Sequence, residues 1–267
     1  MIIVSATNDN YAQHLAVMLT SLLKNNKTDN PIHIFILYGD LSDINIKKLD
    51  RAIERFQATV TVTFLKVDVQ LFEGFVLSTG GQKYISKEAY YRIIIPDLLG
   101  EDITKALYLD CDMIVRTDIS ELWETNIDKY DLAAVDESRV VTKLDRQIRM
   151  NRLSLPSESY YFNSGLLLLN LKRWREKKIS SELIQFIKAN PDKLALLDQD
   201  ALNAVLYNRW LRLDDKWNFT TAHSTKLLLE KAAIIHFTGP EKPWNSESPF
   251  KIKYLRYLKA SLWERPV

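Results

Sequence analysis

The stretch YLDCDMIV, residues 108–115, sets two acids inside an apolar run. Residues two apart in an extended chain share a side, so Asp110 and Asp112 face one way and Cys111 the other, toward the core. Neighbouring carboxylates repel, and burying them unpaired is costly. A cation between them would resolve both problems, and hard oxygen ligands suit Mg²⁺ or Mn²⁺. The blander reading is a pair of loop acids facing water. Asp118 has such a reading as a cap of the next helix, with Glu121 three residues on as its capping-box partner. A thiol flanked by two acids has a raised pKa, which argues against Cys111 as a thiolate nucleophile.

Other chemistries find little support. No G-x-G-x-x-G or G-x-x-x-x-G-K-[ST] points to a dinucleotide fold or a Walker loop, and no G-x-S-x-G marks a nucleophile elbow. His14, His33, His223 and His236 lack zinc-site spacing. With 36 basic against 34 acidic residues, net +2, the chain lacks the basic excess of a general nucleic-acid binder. The single cysteine among 267 residues points to a reducing compartment. The start, MIIVSATNDN, has no basic region before its short apolar run, and no apolar stretch approaches a membrane span. A cytoplasmic protein is expected. Hydrophobic residues at 46% are ample for a core without disulfides or metals.

The elements that must position these acids are legible as patterns. Ile2–Thr7, Ile32–Tyr38 and Thr59–Val67 read as strands. Tyr11–Lys24 reads as a helix with Leu15, Met18, Leu19, Leu22 and Leu23 on one face, and Ser42–Phe56 as another with Leu49, Ile53 and Phe56 inward. This alternation predicts an α/β fold with a mostly parallel sheet flanked by helices. Residues 78–81 read as a loop, and Ser86 as the cap of a helix that Pro96 and Gly100 end. Strands are expected at Lys105–Leu109, Asp131–Val135, Gly165–Leu171 and Ala232–Phe237, and a helix at Asp198–Asn208. Ligands of open parallel sheets sit beyond the carboxyl ends of strands. Thr7 to Asn10, the Asp110/Asp112 pair, Asp136 and His236 all fall at such ends. No repeat or linker divides the chain, so one domain over 1–245 and a tail over 246–267 are expected.

Seven stretches in one order now matter together: SATNDNYAQHL, YYRIIIPDLL, KALYLDCDMIV, LAAVDES, YYFNSGLLLLNLKRWR, LLDQDALN and IIHFTGPEKPW. They span residues 5–244, and with them the chain resembles the family 8 retaining glycosyltransferases of GT-A fold, which include bacterial lipopolysaccharide galactosyl- and glucosyltransferases and glycogenin. The resemblance implies a nucleotide-binding sheet and a UDP-hexose donor held with Mn²⁺, or Mg²⁺ in its place. It implies Asp110, Asp112 and His236 as metal ligands, and an imidazole among them favours Mn²⁺. It implies a uridine pocket of Ala6, Thr7, Asn8, Asn10 and Tyr11. The family often has an acid where Asn8 stands, although an amide still accepts from a uracil N–H. Arg92 and Asp110 are implied as further donor contacts, Asp136 and Asn163 as partners of sugar hydroxyls, and Gly239 and Lys242 as closing on the diphosphate. Gln199, with Asp198, is implied at the reaction centre, opposite the leaving group. A carboxamide is a poor nucleophile, so same-face attack on an oxocarbenium-like sugar is expected, with the Gln199 carbonyl stabilising positive charge.

Each residue also has a plainer role. Asn8 to Asn10 and Asp198 are natural helix caps, Arg92 a solvated helix arginine, Asn163 a turn residue, His236 a hydrogen-bonded strand end and Lys242 a loop lysine. The tail, FKIKYLRYLKASLW over 250–263, carries Lys251, Lys253, Arg256 and Lys259 among aromatics, with Ile252, Leu255, Leu258 and Leu262 able to share a face. It reads either as a helix lying on an anionic membrane, placing the protein peripherally on the inner face, or as a terminal helix packed on the domain. The expected activity is transfer of glucose or galactose to an unidentified glycan, lipid-linked or protein acceptor, such as lipopolysaccharide or another cell-surface glycan. Two other functions fit an acid pair on such a sheet. A nucleotidyltransferase would release pyrophosphate and usually carries a Gly-rich basic loop near its start, which this chain lacks. A non-catalytic nucleotide-sugar-binding module would keep the metal ligands without turnover.

Overall fold

A computed structural model describes the chain apart from residues 28–29, 55, 57, 77–85, 138–141, 221–230, 246–247, 249 and 265–267. The loop expected at 78–81 and His223 therefore lie outside the described residues. The strands are β1 Ile2–Thr7, β2 Ile32–Tyr38, β3 Val60–Lys66, β4 Lys105–Leu109, β5 Met113–Val115, β6 Leu132–Val135, β7 Leu166–Asn170, β8 Trp210–Leu213, β9 Phe219–Thr220 and β10 Ile234–His236. The helices are α1 Ala12–Asn25, α2 Asp43–Glu54, α3 Ile95–Leu98, α4 Ser120–Trp123, α5 Lys143–Leu153, α6 Leu171–Glu176, α7 Ile179–Ala189, α8 Asp198–Val205 and α9 Lys251–Ser261. The α/β class and the mostly parallel strand pairing are as expected: β1–β2, β2–β3, β6–β8 and β9–β10 are parallel, while β6–β7 and β5–β10 run antiparallel.

The described residues gather into two compact units, each discontinuous in sequence. The first comprises 1–67, 108–125 and 215–267, and the second 68–107 and 126–214. In the first, β-branched runs make the strands, and α1 buries Leu15, Met18, Leu19, Leu22 and Leu23. That helix packs against α2, α9 and β5. In the second, Asp131 at the start of β6 is fully buried and is met by Arg173 at 2.8 Å, Lys177 at 2.8 Å and Arg209 at 2.6 Å. Burial works against its charge, but these three cations outweigh it and hold the carboxyl below the usual range.

Three local expectations need correction. The helix expected from Ser86 is a 3₁₀ helix over Lys87–Ile94, and the Ser86 side chain does not cap it. Pro96 does not end it either. Proline lies in the first turn of α3, where a missing N–H costs nothing. The Asp118 carboxylate accepts from the Ser120 N–H at 2.7 Å, but Glu121 makes no return bond and pairs with Lys216 at 2.8 Å. The tail forms α9, which buries Tyr254, Leu258 and Ser261, while Ile252 and Leu255 are exposed. The apolar stripe read from the sequence is thus split between core and surface. Among the described residues, no helix is long and apolar enough to cross a membrane.

Candidate active site

The first unit builds its polar centre where β4 ends. Asp110 and Asp112 leave the strand on one side, and the Cys111 thiol turns the other way, donating to the Ala6 carbonyl at 2.9 Å. Burial pushes that thiol up to about 12, so it is no nucleophile. Strand β10 pairs antiparallel with β5, placing His236 opposite Met113 and hence beside the acids. Its Nε2 lies 3.2 Å from Asp112 Oδ1 and 3.7 Å from Asp110 Oδ2. Ligand atoms of the three residues all lie within 4.8 Å of one another. His236 Nδ1 faces Asn218 Oδ1 at 2.9 Å. A carbonyl oxygen only accepts, so Nδ1 carries the proton and the Nε2 lone pair is turned toward the acids.

Three lone-pair donors converging this closely repel one another without a cation, and two carboxylates with one imidazole suit a divalent transition metal. Lys242 is buried, not a solvated loop lysine. Its ammonium donates to Asp112 Oδ2 at 2.7 Å and to the Phe237 carbonyl at 2.6 Å. Burial opposes the charge on Asp112, but the Lys242 ammonium outweighs it and holds the carboxyl well below the usual range. Gly239 precedes Lys242 with a positive φ of 82°, a conformation that glycine adopts without steric cost.

The same unit holds the residues expected at a uridine pocket. Ala6 and Thr7 are buried at the end of β1, and Asn10 is exposed. Asn8 Oδ1 accepts from the N–H groups of Asn10 and Tyr11 at 3.0 and 3.2 Å, so it closes the turn before α1, whose cap position is Tyr11 and has no side-chain cap. Tyr11 is kept protonated by burial and by the nearby Asp112 and Asp110 charges. It meets Trp244 edge-on at 6.4 Å, and Trp244 stacks on His14 at 3.5 Å between centroids. His14 Nδ1 lies 2.6 Å from the Tyr254 hydroxyl of α9. Burial brings His14 down to about 4.

The second unit carries Arg92, Asp136, Asn163, Asp198 and Gln199 in one hydrogen-bonded network. Arg92 is buried, not a solvated helix arginine. Its Nε lies 3.2 Å from Asp198 Oδ2, and its Nη1 donates to the Ser164 carbonyl and hydroxyl. The Ser164 hydroxyl donates to the same Asp198 oxygen at 2.9 Å. Asp198 is therefore spent on an ion pair and does not cap α8; the preceding Leu197 has φ 47°, ψ −117°, a strained backbone that sets the angle of the Asp-Gln-Asp turn. Asp200 closes that turn by accepting from the Leu196 N–H at 2.7 Å. Asn163 has the plainer role of a turn residue, its Oδ1 accepting from the Gly165 N–H at 3.0 Å, and its Nδ2 donates to Gln199 Oε1 at 3.1 Å. Asp136 is buried, accepting from the Tyr161 N–H at 3.2 Å.

Sequence reasoning missed Asn218, Ser164, Tyr161 and Glu137. None stands at a telling spacing from the residues it serves. Trp244 lay in plain view within IIHFTGPEKPW.

The model of the family described as "Glycosyl transferase family 8" matches residues 2–248. General stress protein A of Bacillus subtilis (strain 168) is 38% identical, over 98% of this chain and 94% of that protein. The lipopolysaccharide 1,3-galactosyltransferase of Salmonella typhimurium is 29% identical, over 91% of this chain and 72% of its own. Among solved structures, the galactosyltransferase LgtC in complex with donor and acceptor sugar analogues aligns with a TM-score of 0.82 at 25% identity, covering 100% of this chain and 97% of that one. The match spans nearly the whole chain, the fold agrees and the acid pair stands at the expected strand end, so the chain belongs to glycosyltransferase family 8 and is an enzyme of the GT-A fold.

Proposed function

We propose that the protein transfers a hexose, glucose or galactose, from a UDP-sugar to a glycan acceptor with retention of anomeric configuration, and that it needs a divalent metal, Mn²⁺ in preference to Mg²⁺. The observation that carries this reading is the convergence of Asp110, Asp112 and His236, with Asn218 fixing the imidazole tautomer. The chemistry a divalent ion supplies at such a set is Lewis-acid neutralisation of charge on the leaving diphosphate. Lys242, a compact point charge, would exchange its Asp112 contact for a phosphate oxygen. Gly239 lets the backbone approach the same group. Ala6, Thr7, Asn8, Asn10 and Tyr11 would hold the uridine.

In the second unit, Asp136 and Asn163 would hydrogen-bond sugar hydroxyls. Gln199 would present its fixed carboxamide dipole to positive charge at the anomeric carbon. Asp198 would tie Arg92 to that turn, so that arginine and amide are aligned together. Lipopolysaccharide or another cell-surface glycan, lipid-linked or protein-borne, is the acceptor class the similar proteins suggest. A cytoplasmic enzyme that touches the inner membrane face through the tail fits such an acceptor.

The decisive experiment measures UDP release from UDP-glucose, UDP-galactose and UDP-N-acetylglucosamine with Mn²⁺, with Mg²⁺ and in EDTA. Metal-dependent release from one hexose donor is expected, and NMR of the product's anomeric proton should report an α-linkage from an α-linked donor. Release of pyrophosphate, turnover unchanged in EDTA, or a β-linked product would overturn the reading.

A further inference from the structure

Each hydrogen-bonding position of the Gln199 carboxamide has an assigned partner. The Ser164 backbone N–H can only donate, so the atom facing it at 3.0 Å must be Oε1, which also accepts from Asn163 at 3.1 Å. A carboxylate oxygen accepts, so Glu137 Oε2, at 2.8 Å, must face Nε2. The second N–H of that amide reaches Tyr161 Oη at 3.3 Å. The tyrosine hydroxyl in turn donates a hydrogen bond to Asp200 Oδ1 at 2.7 Å.

Glu137 is itself anchored. Its backbone N–H donates to the Tyr161 carbonyl at 2.7 Å, just beyond the bridge between Asp136 and Phe162. Arg149 lies over the Tyr161 ring at 4.3 Å and approaches Glu137 Oε2 only to 3.9 Å, too far for a hydrogen bond. Among the described residues the side chain of Glu137 accepts one hydrogen bond, and it comes from Gln199. A charge-assisted bond of this kind is stronger than a neutral one. Pulling on the amide N–H also shifts electron density toward the carbonyl oxygen, so the carboxylate both fixes and strengthens the dipole.

We propose that Glu137 is a positioning residue for Gln199. Its carboxylate locks the carboxamide in one orientation, so that the amide's negative end and the carboxylate's own charge are in place before positive charge develops on the sugar. The inference rests on the proposed place of Gln199 at the reaction centre. An amide freed to flip would present N–H groups where negative potential is needed.

Glu137→Gln keeps the size of the side chain and removes its charge. In UDP-release assays with Mn²⁺, kcat should fall about ten- to hundredfold, the scale on which supporting hydrogen bonds act, with the donor KM nearly unchanged. Glu137→Asp retains the charge and should fall less. The side-chain amide resonances of Gln199 in ¹⁵N-labelled protein should move upfield in Glu137→Gln as the charge-assisted bond is lost, with little change in melting temperature. Unchanged kcat, or unmoved resonances in a folded Glu137→Gln protein, would overturn the proposal. Should Glu137→Gln fail to fold, the same readings on Glu137→Asp decide it, since a shorter side chain also lengthens the bond. A parent enzyme that releases no UDP from any donor would sink the glycosyl-transfer reading instead, and the amide resonances would still decide the Glu137 contact.

Discussion

The polar centres of the two units differ in how far the protein satisfies them. In the first, two carboxylates and the lone pair of an imidazole converge, and one lysine, Lys242, stands among them. Negative charge is in surplus there. In the second, Asp198 meets Arg92, Asp200 meets Arg152, and both ends of the Gln199 amide are taken. The first is a centre that something positive from outside must complete. In the second the Gln199 amide is fully partnered by the protein itself, as a preorganised dipole has to be. Substitution of Asp110 in the first should cost activity and spare stability, whereas removing Arg92 from the second strands a buried charge and should cost stability as well.

The largest effect expected is on turnover. Asp110→Asn and Asp112→Asn each keep shape and remove a charge, and each should lower UDP release by roughly a thousandfold, about 4 kcal/mol, as when a Lewis acid is displaced. Calorimetry should show Mn²⁺ binding lost in both, while in EDTA the melting temperature holds or rises for Asp110→Asn, where a repulsion is relieved, and falls for Asp112→Asn, which takes the carboxylate from the buried Lys242. Cys111→Ser is the control on the other side of the strand, where a hydroxyl can keep the bond to Ala6, and its Mn²⁺ affinity should match the parent's. Asn variants with full activity would break the comparison at its first half.

Arg92→Ala tests the second half. Removing the cation leaves Asp198 buried and uncompensated, a loss of about 3 kcal/mol or more in denaturant unfolding. A variant that unfolds like the parent and only raises the donor KM would recast this network as a ligand-binding surface.

A smaller effect concerns pH. Burial lowers His14 to about 4, against an ordinary value near 6.5. The unfolded chain therefore takes up a proton that the folded chain refuses. Stability present above the unfolded pKa should be lost as pH falls toward 4, by about 2 kcal/mol between pH 7.5 and 5. His14→Phe should flatten that stretch of a melting-temperature profile; a slope equal to the parent's would show that another group is responsible.

Asn218→Ala probes the imidazole's support and should weaken Mn²⁺ binding about tenfold without unfolding the protein. Unchanged affinity would mean that the tautomer needs no help. The smallest effect belongs to the tail. Ile252→Ser with Leu255→Ser removes two exposed apolar side chains of α9, and binding to anionic vesicles should drop a few-fold while UDP release stays unchanged. Vesicle binding that does not change would remove the interfacial reading and leave α9 as a packed helix alone.

The sequence alone determined the opening β1–α1–β2–α2–β3 order and the strands β4, β6, β7 and β10, because periodicity and β-branched runs are local properties; the short β5, β8 and β9 and the helices α4 to α7 were not read from it. It also placed Asp110 and Asp112 on one side and Cys111 on the other, since alternation along a strand needs no partner. It marked His236 as a candidate by its place at a strand end, but Lys242, Asn163 and Gln199 only through the ordered motifs, because single residues carry no distance information. Only the tertiary structure decided which partners they meet. Arg92 and Lys242 read as solvated cations until the fold buried them against Asp198 and Asp112, and burial is set by what packs on a residue from elsewhere in the chain. Asn218, Glu137 and Tyr161 have no local signature, because hydrogen bonds made across 18, 62 and 38 residues of chain leave no spacing to read. The α9 helix makes the same point. Its apolar stripe was visible in the sequence, but which residues are covered depended on where α1 lies, and Tyr254 and Tyr257, outside that stripe, are the ones that meet Gln13, His14 and Asn25 of α1.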